Sequence, residues 1–291
     1  MSDRGGEQPI LVGYDESPGS EQALRWAVHE ARLRGLPVLV CHAWQWPYPL
    51  RPVSEKVLAQ VERIATAVVH NGVRHGRELG GVEVRPIMAK GPASAVLLEA
   101  AREAALVVLG SRGVGGFEDL RVGSAAVQVP AHSSKPVVVV RPGEPVVRDG
   151  ARIVVGIDGS PASRAAFDFA LEEAALHGGT VRAICGWWDP GALPGPDALP
   201  FVDAETMRAG AEARFREVVL LLTSRYPAVP VTTEFVAERP PRAIVEAAKD
   251  ATLLVLGRGG LDSRSGPVLG VVTQAALTEV HCPVAVTPPP D

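Results

Sequence analysis

The residues best suited to chemistry form a glycine-spaced segment that follows a short apolar run. Gly110-Ser111-Arg112-Gly113 comes directly after Val107-Val108-Leu109, and Gly123-Ser124 follows nine residues later. Glycine lets a ligand approach the backbone, and a helix that starts at Gly123-Ser124 would offer unpaired N–H groups and a hydroxyl to an anion. The spacing predicts a phosphate site made of Leu109, Gly110, Ser111, Arg112, Gly113, Gly123, Ser124 and Ala125.

An acidic residue follows the first apolar run of the chain, Ile10 to Tyr14. Asp15 comes two residues after Gly13 and immediately before a Glu-Ser-Pro helix start. In open α/β sheets, ligands bind beyond the carboxyl ends of the strands, and acidic residues there accept hydrogen bonds from ribose hydroxyls. Asp15 could instead tie the turn before the helix, because aspartate commonly bonds nearby backbone N–H groups. Together with the phosphate segment, a ribose contact would indicate a nucleotide.

The chain is an internal duplication. Ile10 to Pro18 returns as Ile153 to Pro161, and Val107 to Gly110 returns as Leu254 to Gly257, again before a glycine-spaced loop. The second copy therefore has its own candidate residues, which are Gly156, Asp158, Gly257, Arg258, Gly260, Gly270 and Val271. Val271 occupies the place of Ser124, and loss of a hydroxyl bond to a charged phosphate would weaken binding by roughly 1.5 to 3 kcal/mol. Arg258 could compensate in part. We expect two nucleotide sites of unequal strength.

Short apolar runs alternate with longer segments of helical spacing, a pattern typical of a doubly wound parallel α/β sheet. The sequence predicts two such domains, 1–143 and 151–291, separated by a linker at 141–150 that is rich in proline, glycine and charge. Ser17-Pro18 and Ser160-Pro161 predict two helix starts. The predicted strands are 10–14, 37–43, 82–88, 105–110 and 136–141, then 152–157, 180–187, 229–236, 252–257 and 283–287. The helices of the first copy are predicted at 18–34, 54–79, 92–103 and 123–132.

Composition excludes several classes of function. The 291 residues are 46% hydrophobic, yet the apolar runs are too short to span a bilayer and no signal pattern opens the chain, so we expect a cytoplasmic protein with no membrane partner. A net charge of -4 gives no broad basic field, which disfavours nucleic acid as a partner. Cys41, Cys185 and Cys282 lie in or beside apolar runs and support neither a disulfide nor a zinc site.

The motifs resemble those of the universal stress protein family, in its tandem two-domain form of actinobacterial type. Nucleotide-binding members carry glycine, two residues, glycine, nine residues, glycine and then serine or threonine, as here from Gly110 to Ser124. The resemblance extends to Gly13 and Asp15, to His42-Ala43, and to Lys135-Pro136 and Cys282-Pro283 before the last strands. It implies five-stranded, Rossmann-like domains of the adenine nucleotide alpha hydrolase-like kind with strand order 3-2-1-4-5. It also implies ATP between the first and fourth strands, with adenine held by backbone groups near Ala43.

Several alternatives stay open at this stage. The leading hypothesis is an ATP-binding, stress-response module without dedicated catalysis. The alternatives are a weak ATPase, a cyclic-AMP-binding module and a structural dimer. Side chains give no metal site, since His42 reads as a packed histidine, although Mg²⁺ could enter with ATP. Glu118 and Asp119 could position water or magnesium, and Arg121 could reach phosphate. The loops 44–52 and 187–200 could cover the sheet or meet a partner. The last strands could pair the two halves as an intrachain pseudo-dimer, or two chains as a homodimer.

Overall fold

The computed structural model describes residues 8–46, 53–114, 122–143, 150–188, 203–261 and 268–290. The chain divides into two compact units, residues 1–146 and 147–291. Most of the predicted linker and of both tryptophan-containing loops lies outside the described residues, as do Glu118, Asp119 and Arg121.

Strands and helices alternate along the first unit. Its elements are β1 (Ile10–Gly13), α1 (Pro18–Arg34), β2 (Val38–Trp44), α2 (Glu55–Leu79), β3 (Val84–Lys90), α3 (Ala93–Ala101), β4 (Leu106–Gly110), α4 (Ser124–His132) and β5 (Val137–Val140). All neighbouring strands are parallel, in the order β3-β2-β1-β4-β5. The unit is therefore the predicted doubly wound sheet, with the predicted order 3-2-1-4-5. The valine, leucine and isoleucine side chains of β1 and β4 are buried, as expected of strands covered on both faces.

The second unit repeats this arrangement. Its elements are β6 (Arg152–Gly156), α5 (Pro161–Leu176), β7 (Thr180–Gly186), α6 (Ala204–Thr223), β8 (Val231–Val236), α7 (Pro240–Ala247), β9 (Leu253–Gly257), α8 (Val271–Glu279) and β10 (Val284–Thr287). The parallel order is β8-β7-β6-β9-β10. Each strand order reverses beside the first strand of its unit, so the ends of β1 and β4, and of β6 and β9, adjoin the crevice where ligands of such folds bind.

The helix after each first strand begins at the predicted serine and proline. Ser17 Oγ accepts a hydrogen bond from the Ser20 amide at 3.1 Å, and Ser160 Oγ accepts one from the Ser163 amide at 3.2 Å. Pro18 and Pro161 occupy the first helical position, where the missing N–H has no intrahelical partner to lose. These caps fix where the chain turns between strand and helix.

The third strand of each unit starts two residues later than the sequence predicts. β3 begins at Val84 and continues to Lys90, because Gly80 and Gly81 both have positive φ angles, 75° and 86°, and turn the chain first. β8 begins at Val231. Smaller differences occur at helix ends: α3 covers Ala93–Ala101, and α4 begins at Ser124 with Gly123 as its N-cap.

Glycine at the end of β4 allows the strand to approach α1 closely. A Cβ atom on Gly110 would lie 2.5 Å from the backbone carbonyl carbon of Gly19 in α1. In the second unit, a Cβ on Gly257 would lie 2.7 Å from the backbone carbonyl carbon of Ala162 in α5. The missing side chains thus make room for a helix, and this packing alone requires glycine at both positions.

Two further findings concern membrane-spanning helices and the three cysteines. In the part of the chain that the structure describes, no helix is long and apolar enough to cross a membrane. Cys41, Cys185 and Cys282 are buried, and none of the three forms a disulfide. Burial raises the pKa of the Cys41 thiol to about 12, so this thiol stays protonated and unreactive at neutral pH.

The close packing around Gly257 predicts that a methyl group there destabilises the protein. The same change at a glycine with free space beside it should stabilise the protein. Gly257→Ala should lower the free energy of unfolding by about 1 to 3 kcal/mol, because backbone has to move away from the new methyl group. Gly210→Ala, inside α6 with only the Arg214 guanidinium nearby, should raise it by about 0.5 to 1 kcal/mol. Urea denaturation measures both; equal effects of the two substitutions would contradict the packing argument.

Candidate functional site

A cavity of about 150 Å³ opens at the carboxyl ends of the strands in the first unit. Cys41, His42 and Ala43 at the end of β2 line one side, together with Ala93 and Leu97 of α3. Asp15, Arg112, Gly113 and Ala125 line the other side, near the start of α4. The cavity therefore has one mostly apolar end and one end formed by backbone and charged groups. A ligand that combines a flat apolar ring with an anionic group suits such a cavity.

Asp15 joins the start of α1 to the glycine-spaced loop. Its Oδ1 accepts a hydrogen bond from the Ser17 amide at 3.1 Å, and its Oδ2 accepts one from the Val114 amide at 2.9 Å. A side chain on Gly113 would collide with Oδ2, so glycine is needed where the loop passes over the carboxylate. The turn-tying role of Asp15 is thus present in the structure. Each carboxylate oxygen can accept more than one hydrogen bond, so this role leaves room for ribose hydroxyls.

The glycine-spaced loop returns to the sheet just before α4. The Gly123 amide donates to the Ser111 carbonyl at 2.8 Å, and the Ser111 amide donates to the Val140 carbonyl of β5 at 2.7 Å. Gly123 has no side chain to cap α4, and Ser124 is exposed at its first position. The N–H groups of the first turn of α4 have no carbonyl partners within the helix, as at every helix start, and they carry its partial positive charge.

His42 is held in place by the backbone of the first unit. Its Nδ1 lies 2.7 Å from the Tyr14 carbonyl oxygen, which can only accept a hydrogen bond, so Nδ1 carries the proton. The Tyr14 hydroxyl donates to Glu21, which also pairs with His75 of α2. Burial, followed by the bond to Glu21, raises the pKa of the Tyr14 hydroxyl. These contacts fix the end of β2, where the apolar end of the cavity begins.

The second unit contains the same carboxylate arrangement. Asp158 Oδ1 accepts a hydrogen bond from the Ser160 amide at 2.9 Å, and Oδ2 accepts one from the Leu261 amide at 3.2 Å. A Cβ on Gly260 would lie 2.6 Å from that Oδ2 atom. The Gly270 amide donates to the Arg258 carbonyl at 2.9 Å, so the loop returns to its helix as in the first unit.

The side chains at the start of the last helix differ between the units. Val271 occupies the first position of α8 and is 72% exposed, so its apolar side chain replaces the Ser124 hydroxyl without filling a core position. The Thr273 hydroxyl donates to the Gly257 carbonyl at 2.9 Å.

Burial, and then the nearby Asp158 charge, raises the pKa of the Cys185 thiol in β7 to about 12.

The structure gathers many of the predicted residues of the first unit around one cavity. Those that line it are Gly13, Asp15, Ala43, Leu109, Gly110, Arg112, Gly113 and Ala125. Ser111, Gly123 and Ser124 are not among the lining residues: Ser111 is 2% exposed, and the other two form the start of α4. The gap beside Gly13 is filled by Leu109, as the gap beside Gly156 is filled by Leu256, so these glycines make room for protein atoms.

Some lining residues were not among the predicted site residues. They are Tyr14, Ser20, Cys41, His42, Ala93 and Leu97. The parallel pairing of Gly13 with Cys41 places the end of β2 beside the end of β1, so the predicted strand order could have indicated Cys41 and His42. No sequence signal shows which face of α3 meets the cavity, because Ala93 and Leu97 are ordinary helix residues.

The fold and the paired loops define a tandem α/β protein with a crevice at the carboxyl ends of the strands in its first unit. The universal stress protein family model matches residues 7–141 and 151–288. The chain therefore belongs to the universal stress protein family, in a tandem form.

Relatives and solved structures of this family cover nearly the whole chain. A universal stress protein of Mycobacterium tuberculosis is 31% identical over 286 residues, which are 95% of this chain and 96% of the relative. One of Mycolicibacterium smegmatis is 31% identical over 291 residues, 97% of this chain and 98% of the relative. The crystal structure of a universal stress protein from Archaeoglobus fulgidus has a TM-score of 0.74 at 18% identity, covering 98% of this chain and 97% of the other, which shows a shared fold.

The carboxylate contacts predict a change in loop dynamics that does not depend on any ligand. In Asp15→Ala, the amides of Ser17 and Val114 lose their acceptor, so hydrogen exchange at Val114 should accelerate and the free energy of unfolding should fall by about 1 to 3 kcal/mol. Asp15→Asn keeps one acceptor oxygen and should have a smaller effect. Exchange at Val114 that is equally slow in all three proteins would rule out this role.

Proposed function

We propose that the protein is an ATP-binding regulatory module of the stress response and that the first unit holds the nucleotide. The cavity carries this proposal, because its apolar end suits a purine ring and its other end brings Arg112, Gly113 and the start of α4 together. A triphosphate placed along the glycine-spaced loop would meet backbone N–H groups and the helix dipole. Mg²⁺ would accompany the phosphates as their usual counter-ion.

Each part of the nucleotide has candidate partners in this proposal. Adenine lies between the end of β2 at Ala43 and the start of α3, and the ribose hydroxyls share the Asp15 carboxylate. Arg112 and the Ser124 hydroxyl bind phosphate, together with the N–H groups near Gly123 and Ala125. The first unit is the stronger site, because Val271 offers no hydroxyl at the equivalent place in the second unit.

We further propose that the protein binds the nucleotide without dedicated catalysis. Asp15 is the acidic residue among the described residues that line the cavity, and its carboxylate already accepts hydrogen bonds from two backbone amides. In this proposal the ribose hydroxyls occupy the lone pairs that the two amides leave, so Asp15 positions the nucleotide and has no lone pair directed at an attacking water, as a general base needs. Weak ATP hydrolysis, cyclic-AMP binding and a structural dimer are the alternatives. A cytoplasmic location, and association of halves or of chains through the last strands, belong to the same proposal.

Mass spectrometry of the small molecules released from freshly purified protein tests the function directly. We expect ATP, and we expect added ATP to bind when the protein is purified empty. Release of ADP with multiple-turnover hydrolysis above background would favour the ATPase, and release of cyclic AMP would favour that ligand. A protein that neither carries nor binds any adenine nucleotide would refute the proposal and leave the structural dimer.

The Ser124 hydroxyl provides a finer test of the phosphate end. Ser124→Ala should weaken ATP binding by roughly tenfold to a hundredfold, since a hydrogen bond to a charged group contributes about 1.5 to 3 kcal/mol. Ser54→Ala removes another serine hydroxyl at a helix start, the N-cap of α2, and should leave ATP affinity unchanged. Isothermal titration calorimetry measures both; equal affinities of the two variants would remove the hydroxyl from the site.

A further inference from the structure

The two units differ most at the place that the proposed function assigns to the purine ring. Ala43 and Gly186 occupy equivalent positions. The glycine that ends the first strand of each unit pairs with Cys41 in one unit and with Ile184 in the other. Ala43 and Gly186 each follow that partner by two residues. Facing them, Ala93 and Pro240 are the first residues of α3 and α7. In the first unit, both Ala43 and Ala93 line the cavity.

In the second unit, the start of the helix lies directly against the strand. A Cβ on Gly186 would lie 2.7 Å from Pro240 Cα, 3.0 Å from Ala243 Cβ and 3.3 Å from the Glu238 carbonyl oxygen. The end of β7 therefore has no room even for a methyl group, whereas Ala43 carries one and still borders open space. Burial agrees, since Ala93 is exposed and Pro240 is half-buried.

Several contacts hold the connection from β8 to α7 in this position. The Arg239 guanidinium lies 4.5 Å from the ring centre of Trp188, which follows β7. The Glu238 amide donates to the Val236 carbonyl at 2.9 Å, and the Glu238 carboxylate accepts from the Arg239 amide at 2.8 Å. Proline at the first helical position also restricts the backbone. A purine ring could enter only if this whole connection moved away from β7.

We propose that the second unit excludes the purine base, with Gly186 and Pro240 as the specificity-determining residues, so that one chain binds one adenine nucleotide. This inference rests on the proposed function of the first unit. It gives a different cause for the inequality of the two sites from the one that Val271 suggests. A missing hydroxyl weakens a phosphate contact, whereas a closed base pocket rejects the nucleoside however well the phosphates are bound.

Equilibrium dialysis of the intact chain with radiolabelled ATP at saturation tests the stoichiometry. We expect one ATP per chain, and we expect Val271→Ser to leave that number at one. Ala43→Leu fills the gap between β2 and α3 in the first unit and should lower the affinity at least tenfold. Ala95→Leu makes the same change at an exposed position of α3 and should bind ATP as the unmodified protein does.

The outcomes separate this inference from the function on which it rests. Two ATP molecules per chain, a second molecule gained by Val271→Ser, or one molecule still tightly bound by Ala43→Leu would overturn base exclusion while leaving the chain an ATP-binding protein. No ATP bound by the unmodified chain would overturn both. One ATP per chain that Ala43→Leu binds at least tenfold more weakly and Ala95→Leu binds unchanged would support both.

Discussion

The carboxylate that follows the first strand of each unit organises the candidate site around it. Asp15 accepts one hydrogen bond from the start of α1 and another from the glycine-spaced loop, and Asp158 makes the equivalent pair of bonds in the second unit. Bonds from backbone N–H groups to an ionised carboxylate are stronger than those between neutral groups. A single residue thus fixes a loop about a hundred residues further along the chain.

This arrangement also shows how an acidic residue is compatible with the phosphate site proposed for the same crevice. The two amides that bond to Asp15 direct their positive ends toward its charge and so reduce the repulsion that phosphate would experience. Asp15 follows β1, whereas the proposed binding mode has the phosphate groups near the start of α4. In that mode the loop at Gly113 separates the two negative groups, and backbone donors are available to both.

Most of the fold could be predicted from the sequence, whereas only part of the site could. Valine-rich runs and the Ser-Pro helix starts indicated strands and helices whose core positions the structure confirms, and the family resemblance indicated the strand order. β3 was misplaced by two residues because Val82 suits a strand by residue type, whereas the turn at Gly80 and Gly81 extends over it. At the apolar end of the cavity only Ala43 was predicted, because the rest of this end depends on the distance between a strand and a helix. In the second unit Gly186 packs directly against Pro240, whereas in the first unit Ala43 and Ala93 both border the cavity, and neither pair forms a motif.

The duplication shows why a retained glycine motif is weak support for a retained ligand. Gly257 is required by the closeness of α5, and Gly260 by the Asp158 carboxylate beneath it. Both would persist in a unit that had never bound a nucleotide, since replacing either would disturb the fold itself. Positions that the packing of the fold does not constrain are more informative about ligand binding. Val271 is exposed and free to vary, and the end of β7 faces a helix start that could have stayed apart from it, as in the first unit. At these two places the second unit has no hydroxyl and no gap, so the two units differ where a ligand, and not the fold, would have imposed the constraint.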